Sequence, residues 1–578
     1  MKIKEKLTKV LKSKPVTKIK KILNYIPKYI YVLFFITLII YYPAKVNSGV
    51  FGHDSAFHAT NIFAMDRNTS LFELPPRIRP IIANDFGYGT GIFYPQLFHF
   101  SVFLICKIVK VLNIPGVFLA NCINIYLFLF TFVVAIVMRK LLYKYTSNSK
   151  ISTIGSILYI LYPYFIDDIY VRSAYGELIV FLSLPLIFLG LNYLFNENNK
   201  VKFYICFILG FYLIFSSHVL SSLYTTIFTG IFILINIKKL FKNKNIIHLA
   251  VASIFAILLS LNSLVPILEH SILGNYMAFE SNYMSSISKV LSNVLSFDSL
   301  FIISVLIDAF IPMTLILLTV FLFLNYKKII KKLDSNIIKG HLLIVIVACV
   351  LVTFPYIWKI LPEIFIKIQF PWRNCAYIGF SICVLATLGL LMIPKKYFKI
   401  VTISTLIISY ITFTYIIYLS GNIIDRNIWV SNIPGMGVEK EYLPKNTYLN
   451  MDYFDTRDKD VHIVRGNAKT KILEDDTPYL KFKIDTKKET IVEIPRLYYL
   501  WYDINLLDKN NNKINLDFYE NEVGFIEFKI PRSGVVTVEY KKTLLSSIAD
   551  IISILSLLSL IIYLYILNKN KLTNKSKL

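Results

Sequence analysis

Charged residues are scarce in this sequence. Asp, Glu, Lys and Arg make up 17% of its 578 residues, whereas soluble globular proteins carry about 25%. Hydrophobic residues reach 56% and aromatic residues 15%, so the chain is too apolar for a soluble enzyme or a disordered scaffold. Its many long apolar runs instead predict a polytopic α-helical membrane protein.

Cysteine is also rare, and its placement excludes two further classes of protein. Five of the six cysteines lie within apolar segments, and Cys375 stands at the start of one. The long polar stretch 421–544 contains none. We therefore predict neither a disulfide framework nor a CxxC zinc site.

Acidic residues are too few to balance the basic ones. The chain has 62 Lys and Arg against 36 Asp and Glu, a net charge of +26. The basic clusters, such as Lys238–Lys244 and Lys327–Lys332, lie beside apolar runs and form no basic–aromatic RNA or DNA motif. We therefore predict cytoplasmic loops that bind anionic lipids under the positive-inside rule, and no nucleic-acid partner.

Hydropathy predicts about 12–13 transmembrane helices, since a crossing needs about 20 apolar residues. Candidate crossings are 29–45, 115–138, 151–166, 178–195, 201–217, 219–238, 246–266, 301–325, 341–358, 376–393, 400–420 and 545–567. Counted back from the C-terminus, they place both basic termini in the cytoplasm. Lys107 and Lys110 interrupt the apolar run 92–112. We predict an interfacial or re-entrant segment there, and a full crossing is the alternative.

The polar stretch before the last crossing has a different pattern. Short alternating runs such as Leu480–Ile484, Thr490–Ile494, Ile526–Ile530 and Val535–Tyr540 are typical of antiparallel β-structure. The predicted organisation is a basic cytoplasmic tail 1–28, a membrane domain 29–420 with a first outside loop 46–91, an extracytoplasmic β-sandwich-like domain 421–544, a final transmembrane helix 545–567 and a basic cytoplasmic tail 568–578.

The first outside loop carries a candidate general base. Asp54 follows the first helix within Gly52-His53-Asp54-Ser55-Ala56-Phe57-His58. At the membrane boundary a carboxylate is partly desolvated, which raises its pKa and makes it a better base; a solvated loop acid is the alternative. His53 and His58 are five apart, whereas zinc ligands on one helical face are four apart. This spacing gives a divalent metal little support.

The second outside loop places Arg172 and Glu177 among four charges between two apolar helices. Such charges face water or a cavity, because lipid cannot solvate them. The planar guanidinium of Arg172 suits a phosphate, and an Arg–carboxylate strut between loops is the alternative. Because the two residues are five apart, we expect no local helical pair and a more distant partner for Arg172.

Two later segments supply further candidates. His218 lies at a turn between two apolar runs, where it serves either as a ligand-binding group or as a structural hydrogen-bonding residue. Trp372 and Arg373 follow Phe370-Pro371. The indole offers a face for sugar stacking or an anchor at the membrane interface. Arg373 is a second candidate for holding a phosphate.

The order of these short motifs resembles a known pattern. The motifs are His-Asp at 53–54, Phe-His at 57–58, Gly-x-Gly-x-Gly-x-Phe-Tyr-Pro at 87–95, Arg-x-x-x-x-Glu at 172–177, Ser-His at 217–218, Phe-Pro-Trp-Arg at 370–373 and Glu-Tyr-Leu-Pro at 441–444. Together they resemble the bacterial YfhO-like membrane proteins and the related membrane family labelled "6-pyruvoyl-tetrahydropterin synthase-related". The resemblance spans 29–567, although nothing in the chain looks like a pterin enzyme.

The resemblance implies the GT-C fold and a glycosyltransferase that uses a polyprenyl-phosphate-linked sugar donor outside the bacterial cytoplasmic membrane. The acceptor would be a cell-surface glycan, lipid or protein. It implies that Asp54 is catalytic and that Arg172 and Arg373 hold the lipid phosphate. Substrate-binding roles would fall to His53, His58, Glu177, His218 and Trp372.

The chain departs from the family pattern at two places. No Asp-x-Asp pair surrounds Asp54, which weakens a metal-dependent mechanism, and no cofactor is predicted. Leu500-Trp501 stands where the family tends toward Pro-Gly, so the turn there is expected to differ.

Two other functions remain open from the sequence. A non-catalytic translocator or assembly factor for lipid-linked glycans would use the same outside residues without a base. An ion-coupled transporter would need ionisable residues in mid-membrane, for which Asp308 is the candidate.

Overall fold

The structure is a computed structural model that describes residues 26–47, 52–67, 75–114, 119–280, 286–301, 310–420 and 440–575. Most of these residues are helical, and a β-rich region precedes the last helix. Residues 1–25 of the predicted N-terminal tail, Asp308, and residues 421–439 of the predicted β domain lie outside the described residues.

The helices follow one another along the chain with short connections. Their bounds are α1 (Lys28–Asn47), α2 (Ser55–Arg67), α3 (Thr90–Phe93), α4 (Leu97–Val111), α5 (Leu119–Thr146), α6 (Ser149–Ile160), α7 (Pro163–Tyr170), α8 (Tyr175–Leu178), α9 (Val180–Phe195), α10 (Lys200–Phe215), α11 (Val219–Ile235), α12 (Ile237–Phe241), α13 (Asn245–Leu273), α14 (Ile287–Ser292), α15 (Met313–Leu324), α16 (Tyr326–Ile329), α17 (Ser335–Thr353), α18 (Pro355–Ile360), α19 (Cys375–Leu390), α20 (Lys395–Ser420), α21 (Lys445–Leu449), α22 (Met451–Thr456) and α23 (Leu544–Lys575). Short 3-10 helices cover Lys242–Lys244, Met277–Phe279, Phe297–Leu300, Glu363–Ile368, Pro371–Asn374 and Lys440–Tyr442.

Seven helical segments of the described chain are long and apolar enough to cross a membrane, as expected for a polytopic membrane protein. They are Leu119–Thr146, Tyr175–Phe195, Ile237–Leu273, Ser335–Thr353, Pro371–Leu390, Lys395–Leu419 and Leu544–Lys569, and shorter apolar helices cover Lys28–Pro43, Val219–Ile235 and Met313–Leu324. Tyr175–Phe195 and Pro371–Leu390 are each 94% buried, whereas Leu544–Lys569 is 17% buried. The first two therefore form the centre of the bundle, and the last helix presents its apolar side chains outward.

Prolines divide two of the predicted crossings. The run 341–358 is split between α17, which ends at Thr353, and α18, which begins at Pro355. The run 151–166 was expected to be a single helix, but α6 ends at Ile160 and α7 begins at Pro163. Proline has no backbone N–H to continue a helix and is favoured at the first helical position, so it separates the two segments. Both segments are buried.

The lysines of the apolar run 92–112 have a protein partner. Within this run α4 is 15 residues long, shorter than the roughly 20 residues that span the bilayer core. Lys107 Nζ lies 2.7 Å from Asp66 Oδ1 of α2, and Lys110 pairs with the other oxygen of that carboxylate. The interfacial placement of this run stays a prediction, but α4 clearly lies against the loop helix α2.

The β-rich region consists of nine described strands in two antiparallel sheets. The strands are β1 (His462–Arg465), β2 (Ala468–Asp476), β3 (Tyr479–Thr486), β4 (Thr490–Leu497), β5 (Tyr502–Asp508), β6 (Lys513–Asn515), β7 (Phe518–Glu520), β8 (Phe525–Ile530) and β9 (Gly534–Tyr540). One sheet has the order β1-β4-β8-β7 and the other β2-β3-β9-β5-β6. The four alternating runs predicted as strands lie in β3, β4, β8 and β9, which confirms that prediction.

The glycine-rich part of the first outside loop docks on the β region. The peptide N–H of Leu497 donates to the carbonyl oxygen of Phe86 at 3.1 Å. A Cβ at Gly89 would lie 2.5 Å from the ring of Tyr499, so only glycine permits this approach. The loop and the two sheets share one hydrophobic core. These contacts fix the loop against the β region.

Candidate functional site

The position of Asp54 is set by backbone contacts to the second outside loop. The peptide N–H groups of His53 and Asp54 donate to the carbonyl oxygens of Val171 and Arg172 at 3.0 and 2.8 Å. A Cβ at Gly52 would lie 2.5 Å from the Val171 carbonyl oxygen, so glycine is required where the loops meet. These contacts bring two loops that are distant in sequence into one site.

All eight residues singled out from the sequence line one cavity of about 420 Å³. They are His53, Asp54, His58, Arg172, Glu177, His218, Trp372 and Arg373. Side chains that the sequence analysis did not assign to the site also line it, namely Tyr94, Lys289, Gln369, Glu441 and Tyr442 among others. The cavity is therefore built by seven separate stretches of chain.

The Asp54 carboxylate is half-buried and faces this cavity. Burial raises the pKa of its carboxyl above the usual range, while the nearby guanidinium groups of Arg172 and Arg373 act to lower it. In the described part of the chain no hydrogen bond or ion pair engages this carboxylate. Asp54 therefore keeps its oxygens available for a proton from a ligand.

Glu177 is the centre of a buried ion cluster. Its Oε2 accepts from Arg172 Nη2 at 2.9 Å and lies 3.1 Å from Arg373 Nε, and its Oε1 accepts from the Tyr164 hydroxyl at 2.7 Å. Arg172 Nη1 donates to Asp168 Oδ1 at 2.8 Å and to the Tyr164 hydroxyl at 2.6 Å. Both terminal nitrogens of Arg172 are thus used within the protein.

The expectation that Arg172 needs a distant partner is wrong. It pairs with Asp168 and Glu177, which lie four residues before it and five after it. The spacing argument holds for a continuous helix, but α7 ends at Tyr170 and α8 begins at Tyr175. The turn between them places the guanidinium between the two carboxylates. Arg172 is therefore an Arg–carboxylate strut, but within its own loop and not between loops.

The guanidinium of Arg373 makes fewer hydrogen bonds and ion pairs within the protein than that of Arg172. It lies in the 3-10 helix Pro371–Asn374, and its Nη1 donates to the Ile368 carbonyl oxygen at 3.1 Å. Its Nη2 makes no hydrogen bond to the residues that the structure describes. Arg373 therefore retains a charged donor that can bind an anionic ligand in the cavity.

Trp372 lies beside Arg373 on the cavity wall. Its ring stacks on Phe370 with centroids 4.6 Å apart and planes at 24°. Its buried Nε1–H finds no acceptor among the described residues. An indole fixed in this way offers a rigid face and a hydrogen-bond donor to a ligand.

The histidines of the site are held by protein contacts. Nδ1 of His58 lies 2.8 Å from Nε2 of His99, and Nδ1 of His218 accepts from the peptide N–H of Ser221 at 3.2 Å, where it caps α11. Burial lowers the pKa of His58 and of His218 to about 3 in each case. Both rings are therefore neutral at pH 7, and His218 keeps Nε2–H as its remaining donor.

A metal site at His53 and His58 would need further ligands close by. Within the described ranges no group of three or more His, Cys, Asp or Glu side chains is placed to hold a metal ion. The ring of His58 contacts His99 instead. His53 itself is exposed at the cavity rim.

Glu441 and Lys289 were missed as site residues. Glu441 precedes the β region, and its motif Glu-Tyr-Leu-Pro was noted in the sequence without a role. Burial and the Asp54 carboxylate raise the pKa of Glu441, whereas Arg373 and Lys289 lower it. Lys289 lies on the short helix α14, and no sequence signal separates it from the many other lysines. The cavity therefore contains two facing acids and an additional cation.

Comparisons with known proteins do not assign this site. No protein-family model matches the chain, and no curated protein matches it. The resemblance to YfhO-like proteins stays a prediction that rests on the short motifs. The chemistry of the cavity is therefore the basis for proposing a function.

Proposed function

We propose that this chain is a membrane glycosyltransferase of the GT-C superfamily, related to the YfhO-like proteins. It moves a sugar from a polyprenyl-phosphate-linked donor to a cell-surface glycan, lipid or protein acceptor. In this proposal the chain crosses a bacterial cytoplasmic membrane about twelve times, with both termini cytoplasmic and the cavity on the extracytoplasmic face.

One observation carries the proposal: a carboxylate that has no hydrogen-bond or ion-pair partner among the described residues shares a cavity with cations that are not fully used. Asp54 is the carboxylate, and Arg373 and Lys289 are the cations. Sugar transfer from a lipid phosphate needs a base for the acceptor hydroxyl and positive charge for the phosphate that leaves. The cavity supplies both.

The proposed reaction is a single inverting displacement. Asp54 accepts the proton of the acceptor hydroxyl while the acceptor oxygen forms a bond to the anomeric carbon of the sugar. The bond from that carbon to the phosphate oxygen breaks, and its electron pair stays on the lipid phosphate. Arg373 and Lys289 stabilise the developing charge on the phosphate.

The remaining residues position the reacting groups. Glu177 holds Arg373 through Nε at 3.1 Å, and Arg172 fixes Glu177 in turn. His218 offers its Nε2–H donor to the sugar, and Trp372 offers a face for stacking. His53 and His58 complete the wall near Asp54. Arg172 thus acts through Glu177 and is a positioning residue.

The test is sugar transfer in membranes that contain the full-length protein and a radiolabelled polyprenyl-phosphate sugar. Asp54→Asn keeps the shape of the side chain but removes the base, so we expect transfer to fall by about 10²–10⁴-fold. Expression and membrane insertion of the variant are compared with wild type as the control.

Two results would overturn the proposal. Wild-type turnover in Asp54→Asn would remove the base assignment. Absence of transfer by the wild-type protein, together with movement of the lipid-linked sugar across vesicle membranes, would favour a non-catalytic translocator instead.

A further inference from the structure

A second cavity of about 710 Å³ lies between the membrane helices α10, α13 and α23. Much of its wall consists of aliphatic side chains, including Ile205 and Leu209 of α10 and Leu557 and Ile561 of α23. Leu557 and Ile561 are 49% and 56% exposed. This groove is therefore an apolar channel along the outside of the bundle, where hydrocarbon chains surround the protein.

One end of the groove is polar and carries more positive than negative charge. Lys542 lies just before α23 and pairs with Asp550 at 2.9 Å. Arg77 Nη2 donates to the carbonyl oxygen of Asn262 at 2.8 Å. All four residues line the groove. A cationic end followed by an apolar channel matches a lipid with an anionic headgroup.

The groove and the catalytic cavity share a wall. Pro95 lines both spaces, and the next residue, Gln96, lines the groove. Gln96 is fixed by Arg79, whose Nη2 donates to Oε1 at 2.6 Å, and by the Gly91 carbonyl oxygen at 2.8 Å. The polar end of the groove therefore lies next to the cavity behind a rigid partition.

The shared wall adjoins the side of the cavity that carries the base. The ring of Tyr94, beside Pro95, lies 5.2 Å from Phe57 and 6.1 Å from His58, on the helix that follows Asp54. The cations Arg373 and Lys289 come from other elements, Pro371–Asn374 and α14. A lipid headgroup at the polar end therefore lies behind this wall and outside the cavity.

We propose that the groove binds the hydrocarbon chains of an anionic membrane lipid and that its polar end holds the charged headgroup. Lys542 and Arg77 line that end and supply the positive charge that the headgroup meets. This proposal goes beyond the proposed function, because it concerns a lipid bound outside the cavity.

The test measures lipid binding without any donor, so it does not depend on sugar transfer. Full-length protein is reconstituted in phosphatidylcholine vesicles that contain phosphatidylglycerol with a photoreactive diazirine in its acyl chain. We expect labelling of peptides from α10 and α23 that contain the groove residues. The double variant Leu557→Trp/Ile561→Trp fills the groove and should lower this labelling by about tenfold, or about 1.4 kcal/mol.

The matched control lies on the same helix. Leu558 and Ile562 are 51% and 60% exposed and do not line the groove, so Leu558→Trp/Ile562→Trp should leave labelling unchanged. Lys542→Ala should reduce labelling by phosphatidylglycerol but not by phosphatidylcholine that carries the same diazirine. Both results would support the proposal.

Three results would overturn it. An equal loss of labelling in Leu558→Trp/Ile562→Trp, or no loss of labelling in Leu557→Trp/Ile561→Trp, would mean that the label reports only the surrounding lipid. Equal labelling by the two lipids in the wild-type protein would remove the role of the charged end. Displacement of the label by polyprenyl phosphate would assign the groove to the donor chain. Asp54→Asn should abolish transfer with labelling intact, which separates failure of the two proposals.

Discussion

The peptide N–H of Asp54 donates a 2.8 Å hydrogen bond to the carbonyl oxygen of Arg172. The side chains of the two residues serve different purposes at this junction. The guanidinium of Arg172 is used by Asp168 and Glu177, whereas the carboxylate of Asp54 faces the cavity. A rigid ion cluster therefore supports the Asp54 carboxylate through the main chain, so the position of this carboxylate depends little on its own side-chain contacts.

We expect Asp54→Asn to stabilise the folded protein. Burial raises the pKa of this carboxyl, so its charged form is less favourable in the folded protein than in the unfolded chain. Removing the charge should raise the melting temperature at pH 7 in detergent. A buried functional carboxylate commonly makes the folded protein less stable in this way.

The sign of this effect can be checked through its pH dependence. The stabilisation should shrink as the pH falls through the raised pKa, because wild-type Asp54 then becomes protonated and neutral as well. A melting temperature below that of wild type at pH 7 would contradict the burial argument.

The rate of sugar transfer should fall on the acid side of neutrality. Asp54 must be ionised to accept a proton, and burial raises its pKa above the usual value of about 3.9. We therefore expect an acid limb in kcat/KM with a midpoint above about pH 4. His58 and His218 cannot produce this limb, because burial lowers the pKa of each to about 3.

A His53→Gln variant provides the control for that limb. The limb should persist in this variant if Asp54 is the titrating group. Disappearance of the limb in His53→Gln would assign it to the exposed histidine instead.

Replacement of Glu441 should leave the acid limb in place. Burial and the Asp54 carboxylate raise the pKa of Glu441, whereas burial and the two arginines are the main influences on the pKa of Asp54. We therefore expect the pH profile of kcat/KM to keep its acid limb in Glu441→Gln. Loss of the limb in this variant would contradict its assignment to Asp54.

The residues that line the cavity could be found in the sequence because they contrast with their surroundings. Asp54, Arg172, Glu177 and Arg373 are charged residues next to apolar runs, where charge is costly unless it faces water or a cavity. The strands β3 and β9 were predictable for a similar reason, since one buried face produces alternation in the sequence. In both cases the sequence pattern follows from which side chains face the apolar interior and which face water.

Other features depend on tertiary contacts, which the spacing of residues along the sequence does not predict. The pairing of Arg172 with Glu177 requires the chain to turn between α7 and α8. Lys289 reaches the cavity only because α14 packs where it does, and its sequence context resembles that of many surface lysines. Pro163 marks the position of the break in the sequence, but the apolar residues on both sides of it favoured a single crossing.

Trp501 adopts a backbone conformation that favours glycine. Its φ is +84°, in the left-handed region that glycine adopts most readily. A side chain in this region costs about 1–2 kcal/mol. We therefore expect Trp501→Gly to be more stable than Trp501→Ala by about 1 kcal/mol, although both lose the same indole contacts.

Thermal unfolding of the full-length variants in detergent measures this difference. The usual order is the reverse, because glycine has more freedom than alanine in the unfolded chain. A Trp501→Ala variant at least as stable as Trp501→Gly would mean that the turn relaxes to an ordinary conformation.

The two arginines of the cavity should respond differently to truncation. Arg172→Ala leaves Asp168 and Glu177 buried without their main cation, so it should destabilise the protein by about 3–5 kcal/mol. In Arg373→Ala, Glu177 keeps Arg172 and Tyr164 as partners, so the fold should persist. Loss of a charged hydrogen bond to the donor phosphate, worth about 1.5–3 kcal/mol, should raise the donor KM by about ten- to a hundredfold.

Separate titrations of donor and acceptor check the role of Arg373. The acceptor KM should stay near the wild-type value, and Arg373→Lys should recover part of the donor affinity because it restores the charge but not the planar fork. An equal rise in both KM values would indicate a general distortion of the cavity. An unchanged donor KM would show that Arg373 does not bind the phosphate, and Lys289 would then be the remaining cation for that role.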